Sequence, residues 1–181
     1  MIVKLHSTEK LEEEVAPIIS SPHYISPDAW IIGQVKIGKE VSIFPGVVIR
    51  GDIEPIEIGD GTNIQEHSIL HTTLNRCPCK VGNNVTVGHR ATLHSANVSD
   101  HVIVGMGSIL LDECEIGEYS IVGAGSLVTI GKKFPPYSLI LGSPAKVVRE
   151  LTEAEQRGIE SSAKRYIKSG KRMSESVLVN S

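Results

Sequence analysis

Residues 98–128 read VSDHVIVGMGSILLDECEIGEYSIVGAGSLV, and an aliphatic residue returns at every sixth position of this stretch. These positions are Val98, Val104, Leu110, Ile116, Val122 and Val128. A period of six suits neither an amphipathic helix, with a period of ~3.6, nor the simple alternation of a hairpin. It predicts a β-solenoid, in which short strands are separated by bends and successive coils stack through parallel hydrogen bonds.

The same step extends back to residue 25, and three hexapeptides per coil predict a triangular prism with faces that we name A, B and C. Face A contains Ile31, Ile49, Leu70, Leu93, Leu110 and Val128. Face B contains Ile37, Ile58, Val81, Val98 and Ile116, and face C contains Ile25, Ile43, Ile64, Val87, Val104 and Val122. The period breaks after Ile49, Leu70 and Leu93, so every break falls at the corner between faces A and B.

The composition excludes several functional classes. The chain has 181 residues and a formal net charge of −3, so no basic field is expected to recruit nucleic acid. No apolar run approaches the ~20 residues of a membrane span, and the first residues lack the apolar core of a signal peptide. Three cysteines without a secretion signal predict reduced thiols and a cytoplasmic protein.

The expected organisation is an all-β solenoid followed by a helix. We expect a lead-in over 1–24, the β-helix over 25–148, a helix over 150–170 and a frayed tail over 171–181. The charge run at residues 9–14 is expected to form a solvated short helix. Thr152-Glu-Ala-Glu155 matches a capping box that opens a helix, and Gly170 is expected to end it.

The solenoid step predicts which polar residues stack. Arg50, His71 and His94 each follow a face A aliphatic residue, so they should form one column. Glu66 and His89 each lie two positions after a face C aliphatic residue and should form a second column. The columns should not converge within one chain, but two prisms side by side could join them. A ring of three copies closes this contact, which predicts a homotrimer.

Three neutral imidazoles with one open position suit zinc, which favours tetrahedral coordination and keeps a place for water. His71 and His94 of one subunit would then meet His89 of the next. Iron and cobalt also accept imidazole, so Fe²⁺ and Co²⁺ remain alternatives. The competing interpretation is three unrelated surface histidines.

The quoted motifs resemble one known family. The runs at residues 48–52 (VIRGD), 58–66 (IGDGTNIQE) and 87–94 (VGHRATLH), together with His71, are similar to the γ-class carbonic anhydrases over about residues 20–150. The resemblance implies a left-handed parallel β-helix, a trimer and metal ligands at His71, His89 and His94. It also implies hydration of carbon dioxide to bicarbonate by a metal-bound hydroxide at the subunit interfaces.

The resemblance assigns roles to four further residues. Gln65 matches a glutamine near the metal-bound water, and its alternative is a plain surface position. Arg50 and Asp52 match an interface pair, although Arg50 could also pair with Glu66 or attract bicarbonate. Glu66, where the family more often has Asp, would orient an imidazole. The loop 72–80 contains no carboxylate and Asp52 precedes Ile53, where the most active members carry acidic proton-shuttle residues, so weak turnover is expected.

Two other functions remain open. Hexapeptide-repeat acyl-CoA transferases share the fold and use a single histidine as general base, and a thioesterase acting on acyl-CoA is a close variant. A metal-stabilised trimeric scaffold would need no turnover. Cys77-Pro-Cys79 is interpreted as part of a surface loop, and Cys114 as a core residue.

Overall fold

The structure is a computed structural model that describes residues 1–5 and 14–176, so the helix expected around residues 9–14 falls almost entirely outside the described residues, as does the end of the tail. The chain forms a left-handed parallel β-helix followed by a helix. The strands are β1 (Ile2–Val3), β2 (Ile18–Ile19), β3 (Tyr24–Ile25), β4 (Trp30–Ile37), β5 (Ser42–Ile43), β6 (Val48–Ile58), β7 (Asn63–Ile64), β8 (Ile69–His71), β9 (Cys79–Val81), β10 (Thr86–Val87), β11 (Thr92–His94), β12 (Asn97–Val98), β13 (Ile103–Val104), β14 (Ile109–Leu110), β15 (Glu115–Ile116), β16 (Ile121–Val122), β17 (Leu127–Val128), β18 (Lys133–Phe134), β19 (Ser138–Gly142) and β20 (Ala145–Glu150).

The strand register confirms the three faces. On face A, Leu70 pairs with Leu93, and on face C, Ile64 pairs with Val87. On face B, Val81 lies beside Val98. These aliphatic side chains all point into the prism and are buried, so one column per face builds the core. The long strands β4 and β6 turn the A/B corner and join the sheets of faces A and B.

The outward surfaces of the three faces differ in chemistry. Face B presents exposed polar and charged residues, namely Lys36, Glu57, Lys80, Asn97, Glu115 and Lys133. Face A presents a register-aligned column of Trp30, Val48, Ile69, Thr92, Ile109 and Leu127. Trp30, Ile69 and Ile109 are 41%, 44% and 42% exposed, so face A has an uncovered apolar stripe. We call these residues the face A stripe.

Face C is covered by the C-terminal helix α1, Glu153–Ser174, which contacts β3, β5, β7 and β10. The predicted capping box is confirmed, because Thr152 accepts from the Glu155 backbone and the Glu155 side chain accepts from Thr152 N–H. The prediction that the helix ends at Gly170 is wrong. A Cβ at Gly170 would lie 1.9 Å from Ser42 Oγ, so glycine serves here for close packing rather than as a stop.

The two ends of the prism are closed differently. β1 and β2 come from the lead-in segment and add parallel strands beside β4. At the other end, β20 turns back and pairs antiparallel with β19. Among the described residues, no helix is both long enough and apolar enough to cross a membrane.

Candidate metal centre

His71 and His94 lie together at the A/B corner. His71 ends β8, His94 ends β11, and the two are register partners on adjacent coils, as the six-residue step predicts. His71 Nδ1 lies 3.1 Å from His94 Nε2, and the ring centroids are 5.1 Å apart. The strand ends therefore bring one nitrogen of each ring face to face.

The outward nitrogen of each ring contacts a carboxylate. Asp52 Oδ1 lies 3.0 Å from His71 Nε2, and Asp112 Oδ1 lies 2.9 Å from His94 Nδ1. Thr73 Oγ1 also donates to Asp112 Oδ1 at 3.0 Å. An ionised carboxylate only accepts hydrogen bonds, so each histidine carries its hydrogen on this outer nitrogen. Such carboxylate–histidine pairs fix the ring orientation and tautomer of metal ligands.

This assignment leaves two lone pairs facing each other. With hydrogens on the outer nitrogens, neutral His71 and His94 turn their unprotonated nitrogens together across 3.1 Å. Two acceptors at that distance repel unless a cation or a proton lies between them. Tetrahedral zinc with Zn–N bonds of ~2.0–2.1 Å would separate two ligand nitrogens by about 3.3 Å. The pair therefore fits two ligands of a tetrahedral metal ion.

The electrostatics favour a neutral His71. Burial lowers the pKa of His71, and the nearby Arg50 guanidinium lowers it further. The hydrogen bond to Asp52 opposes both effects, but the pKa stays below its ordinary value. A neutral imidazole is the form that binds metals. Burial raises the pKa of the Asp112 carboxyl, but hydrogen bonds from His94 and Thr73 outweigh it and keep the group ionised.

His89 lies at the opposite edge of face A. It precedes β11, whereas His94 ends the same strand. His89 Nδ1 lies 2.5 Å from Glu66 Oε2 on the coil below, so the second predicted column is present. Within residues 1–5 and 14–176, no group of three His, Cys, Asp or Glu side chains is placed to hold a metal ion. One chain thus brings together His71 and His94 but not His89.

The remaining predicted residues lie close to these histidines. Arg50 Nη1 donates to Asp52 Oδ2 within the same chain, while the other oxygen of Asp52 faces His71. Gln65 is buried, with 3% of its surface exposed, and its Nε2 donates to Asn63 Oδ1 at 3.1 Å. Gln65 directly precedes Glu66, so it belongs to the His89 edge of face A.

Two residues that contact His94 were missed from the sequence. The residues of the His71 column directly follow a face A aliphatic residue. Asp112 lies two positions after Leu110 and Thr73 lies three positions after Leu70, so neither belongs to that column. The loop after β8 folds back over the next coil and brings Thr73 Oγ1 within 3.3 Å of His94 Nδ1. The only sequence signal is the position of Asp112 at the same A/B corner, one coil above His94.

The prediction that both cysteines of Cys77-Pro-Cys79 lie in a surface loop is wrong for Cys79. Cys79 begins β9 and points into the prism on the same side of the strand as Val81, so it is fully buried. Cys114 is buried, as predicted. Burial raises the pKa of both thiols to about 12, so they stay protonated. Cys77 donates to Ser95 O, and all three cysteines are free.

Comparisons with known proteins define the class. Residues 95–129 match the family "Bacterial transferase hexapeptide (six repeats)". A hexapeptide transferase family protein from Anaplasma phagocytophilum superposes with a TM-score of 0.82 at 41% identity, covering 87% of this chain and 92% of that one. The fold is therefore that of a hexapeptide-repeat β-helix protein.

The sequence relatives narrow this class. The "Carbonic anhydrase" of Geobacillus kaustophilus is 50% identical over 85% of this chain and 84% of its own length. "Gamma carbonic anhydrase 2, mitochondrial" of Arabidopsis thaliana is 41% identical over 84% of this chain, which spans 56% of that relative's length. The chain belongs to the γ-class carbonic anhydrase family.

Proposed function

We propose that this protein hydrates carbon dioxide to bicarbonate at zinc sites shared between the copies of a homotrimer. His71 and His94 of one copy and His89 of the next would be the metal ligands. The observation that carries the proposal is the 3.1 Å approach of His71 Nδ1 to His94 Nε2, with a carboxylate on each outer nitrogen. The names of the relatives support the reaction.

The face A stripe supports the shared site. An apolar strip that no described element of the chain covers is typical of a surface that packs against a partner. The stripe runs between the two edges of face A, which carry His89 on one side and His94 on the other. A copy of the same chain packed on face A would cover the stripe and supply the missing third histidine. A head-to-tail contact of this kind closes into a ring.

The residues of the chain have distinct tasks in this proposal. Asp52 and Asp112 hold the rings of His71 and His94 in the tautomers that present a lone pair, and Glu66 does the same for His89. Arg50 neutralises Asp52 and favours neutral His71. When bound, zinc would supply a water whose pKa falls to about 7. Gln65, beside Glu66, would orient that water or the bicarbonate product.

The alternative of acyl-CoA transfer is kept because the Anaplasma relative is named as a hexapeptide transferase family protein. One groove on the described surface, about 660 Å³, runs along a corner that adjoins face B. Its lining includes four acidic residues, Glu57, Asp60, Asp100 and Glu118, and two basic residues, Lys36 and Lys80, so its net charge is negative and disfavours the phosphates of coenzyme A. This charge disfavours the binding of coenzyme A in this groove of the isolated chain.

The direct test is stopped-flow carbon dioxide hydration with zinc-loaded protein, a His71→Ala variant and a His23→Asn control. We expect one zinc per chain and hydration in the wild type and the control, and loss of both in His71→Ala. Zinc binding without hydration would instead indicate that the protein is a metal-stabilised scaffold. Retained acetyl-CoA binding in His71→Ala would favour acyl transfer. Reconstitution with Fe²⁺ and Co²⁺ would rank the metals.

A further inference from the structure

We infer that helix α1 belongs to the site, because Ser162, acting through Thr86 and Asn63, is a positioning residue for Gln65. The catalytic meaning of this inference rests on the proposed function, but the hydrogen-bond relay itself does not. Ser162 lies on α1, Thr86 and Asn63 lie beneath the helix on face C, and Gln65 follows them at the His89 edge of face A.

The relay consists of three side-chain hydrogen bonds. Ser162 Oγ lies 3.3 Å from Thr86 Oγ1. Asn63 Nδ2 donates to Thr86 Oγ1 at 3.0 Å, and Gln65 Nε2 donates to Asn63 Oδ1 at 3.1 Å. Thr86 Oγ1 accepts from Asn63, so its own hydrogen is available for Ser162 Oγ.

The strand register and the helix place these groups together. Asn63 and Thr86 are register partners on β7 and β10, and both occupy outward positions of face C. Outward positions are exposed or half-buried on faces A and B, but here Asn63 and Thr86 are buried because α1 lies over them. Without the helix the same side chains would bond to water. In a water-excluded layer, a satisfied network holds its members in one arrangement.

The backbone carbonyl of Val85 sets the orientation of the Asn63 side-chain amide, and hence which group donates in each hydrogen bond of the relay. Asn63 Nδ2 also faces Val85 O at 3.3 Å. A flipped Asn63 amide would place its oxygen against that carbonyl, so the NH₂ group must stay there and Oδ1 must face Gln65. Gln65 consequently presents its NH₂ group to Asn63. This leaves Oε1 of Gln65 as the group that can accept a hydrogen bond from water or substrate in the site.

The experiment measures how fast the side-chain amide hydrogens of Gln65 exchange with water, by NMR on the metal-free protein. Thr86→Val keeps the shape but removes the hydroxyl, and Thr86→Ser restores a hydroxyl. Ser162→Ala removes the helix end of the relay. Ser161→Ala is the matched control, because Ser161 is the exposed neighbour and donates back to Arg157 O. Contact between Tyr166 and Phe44 reports whether the helix stays docked.

We expect exchange to be about three- to tenfold faster in Thr86→Val, the factor that follows from losing one such bond. Ser162→Ala should change it in the same direction, whereas Thr86→Ser and Ser161→Ala should match the wild type. With zinc bound, Thr86→Val and Ser162→Ala should lower kcat with KM unchanged.

Unchanged Gln65 exchange in Thr86→Val with α1 docked would overturn the relay, as would equal effects of Ser161→Ala and Ser162→Ala. A protein that lacks hydratase activity but shows the expected exchange would contradict only the proposed function.

Discussion

Asp112 holds His94 in place from the coil above, through a 2.9 Å contact between Asp112 Oδ1 and His94 Nδ1. Thr73 donates to the same carboxylate oxygen, so Asp112 is itself fixed. The adjacent Glu113 points elsewhere and pairs with Arg76 on the surface. Neighbouring acidic residues thus have separable roles.

We predict that Asp112→Asn lowers zinc affinity by about 10- to 100-fold, the usual effect of losing such a carboxylate partner. An amide can present its NH₂ group to His94, which would reverse the tautomer. Competition with a chelator measures the affinity. Glu113→Gln is the control and should bind zinc like the wild type. Equal affinities in both variants would show that Asp112 does not orient His94.

The pH dependence of zinc binding should follow from Arg50. Because the pKa of His71 is lowered, protons compete weakly with zinc for its nitrogen and zinc is retained on mild acidification. Arg50→Gln removes one cause of the lowered His71 pKa. It also removes the ion pair between Arg50 and Asp52, so that Asp52 favours protonated His71 more strongly. We therefore expect the half-release pH of zinc to rise. Arg149→Gln, which removes a charge paired with Glu155, should leave it unchanged.

The lowered pKa of His71 also predicts how the stability of the metal-free protein depends on pH. In the unfolded chain His71 would titrate near ~6.5, above its value in the folded chain. The unfolded state therefore binds more protons as the pH falls through this window, and the metal-free protein should lose stability there. An NMR titration of His71 in the metal-free protein gives the folded value. A His71 pKa above that of an unstructured peptide would contradict this account.

The face A stripe should hold the trimer together. Ile109→Glu places a charge within the stripe, whereas Asn97→Glu places one on the charged outer surface of face B. Burying an unpaired carboxylate is costly, so Ile109→Glu should sediment as a monomer and lose zinc. Asn97→Glu should remain trimeric and retain zinc. A trimeric Ile109→Glu protein would place the subunit contact on another face.

Two glycines of helix α1 should respond in opposite ways to the same substitution. Nothing lies within 4 Å of a Cβ built on Gly158, so Gly158→Ala should stabilise the fold by about 1 kcal/mol through helix propensity. A Cβ on Gly170 would meet Ser42 Oγ, so Gly170→Ala should destabilise by about 1–3 kcal/mol. Denaturant unfolding measures both. Equal stabilisation would mean that α1 does not pack closely on β5.

Much of the fold could be predicted because the six-residue step is local. Counting in sixes places Leu70 beside Leu93, and hence His71 beside His94, as the register confirms. The packing of Gly170 against Ser42 could not be predicted, since it depends on where α1 lies on face C. Asp112 and Thr73 were missed because irregular corner segments, rather than the repeat, carry them to His94. The burial of Asn63 likewise depends on the helix.

The central claim is that each metal site takes ligands from two copies of the chain, and subunit mixing tests it most directly. His71→Ala and His89→Ala chains, each unable to form a site alone, are unfolded, mixed in equal amounts and refolded, and the bound zinc is counted. About one quarter of the interfaces in randomly mixed trimers would pair an intact His71 with an intact His89 of the next copy. We predict recovery of about one quarter of the wild-type zinc. Mixed trimers that bind no zinc would contradict a site shared in this way.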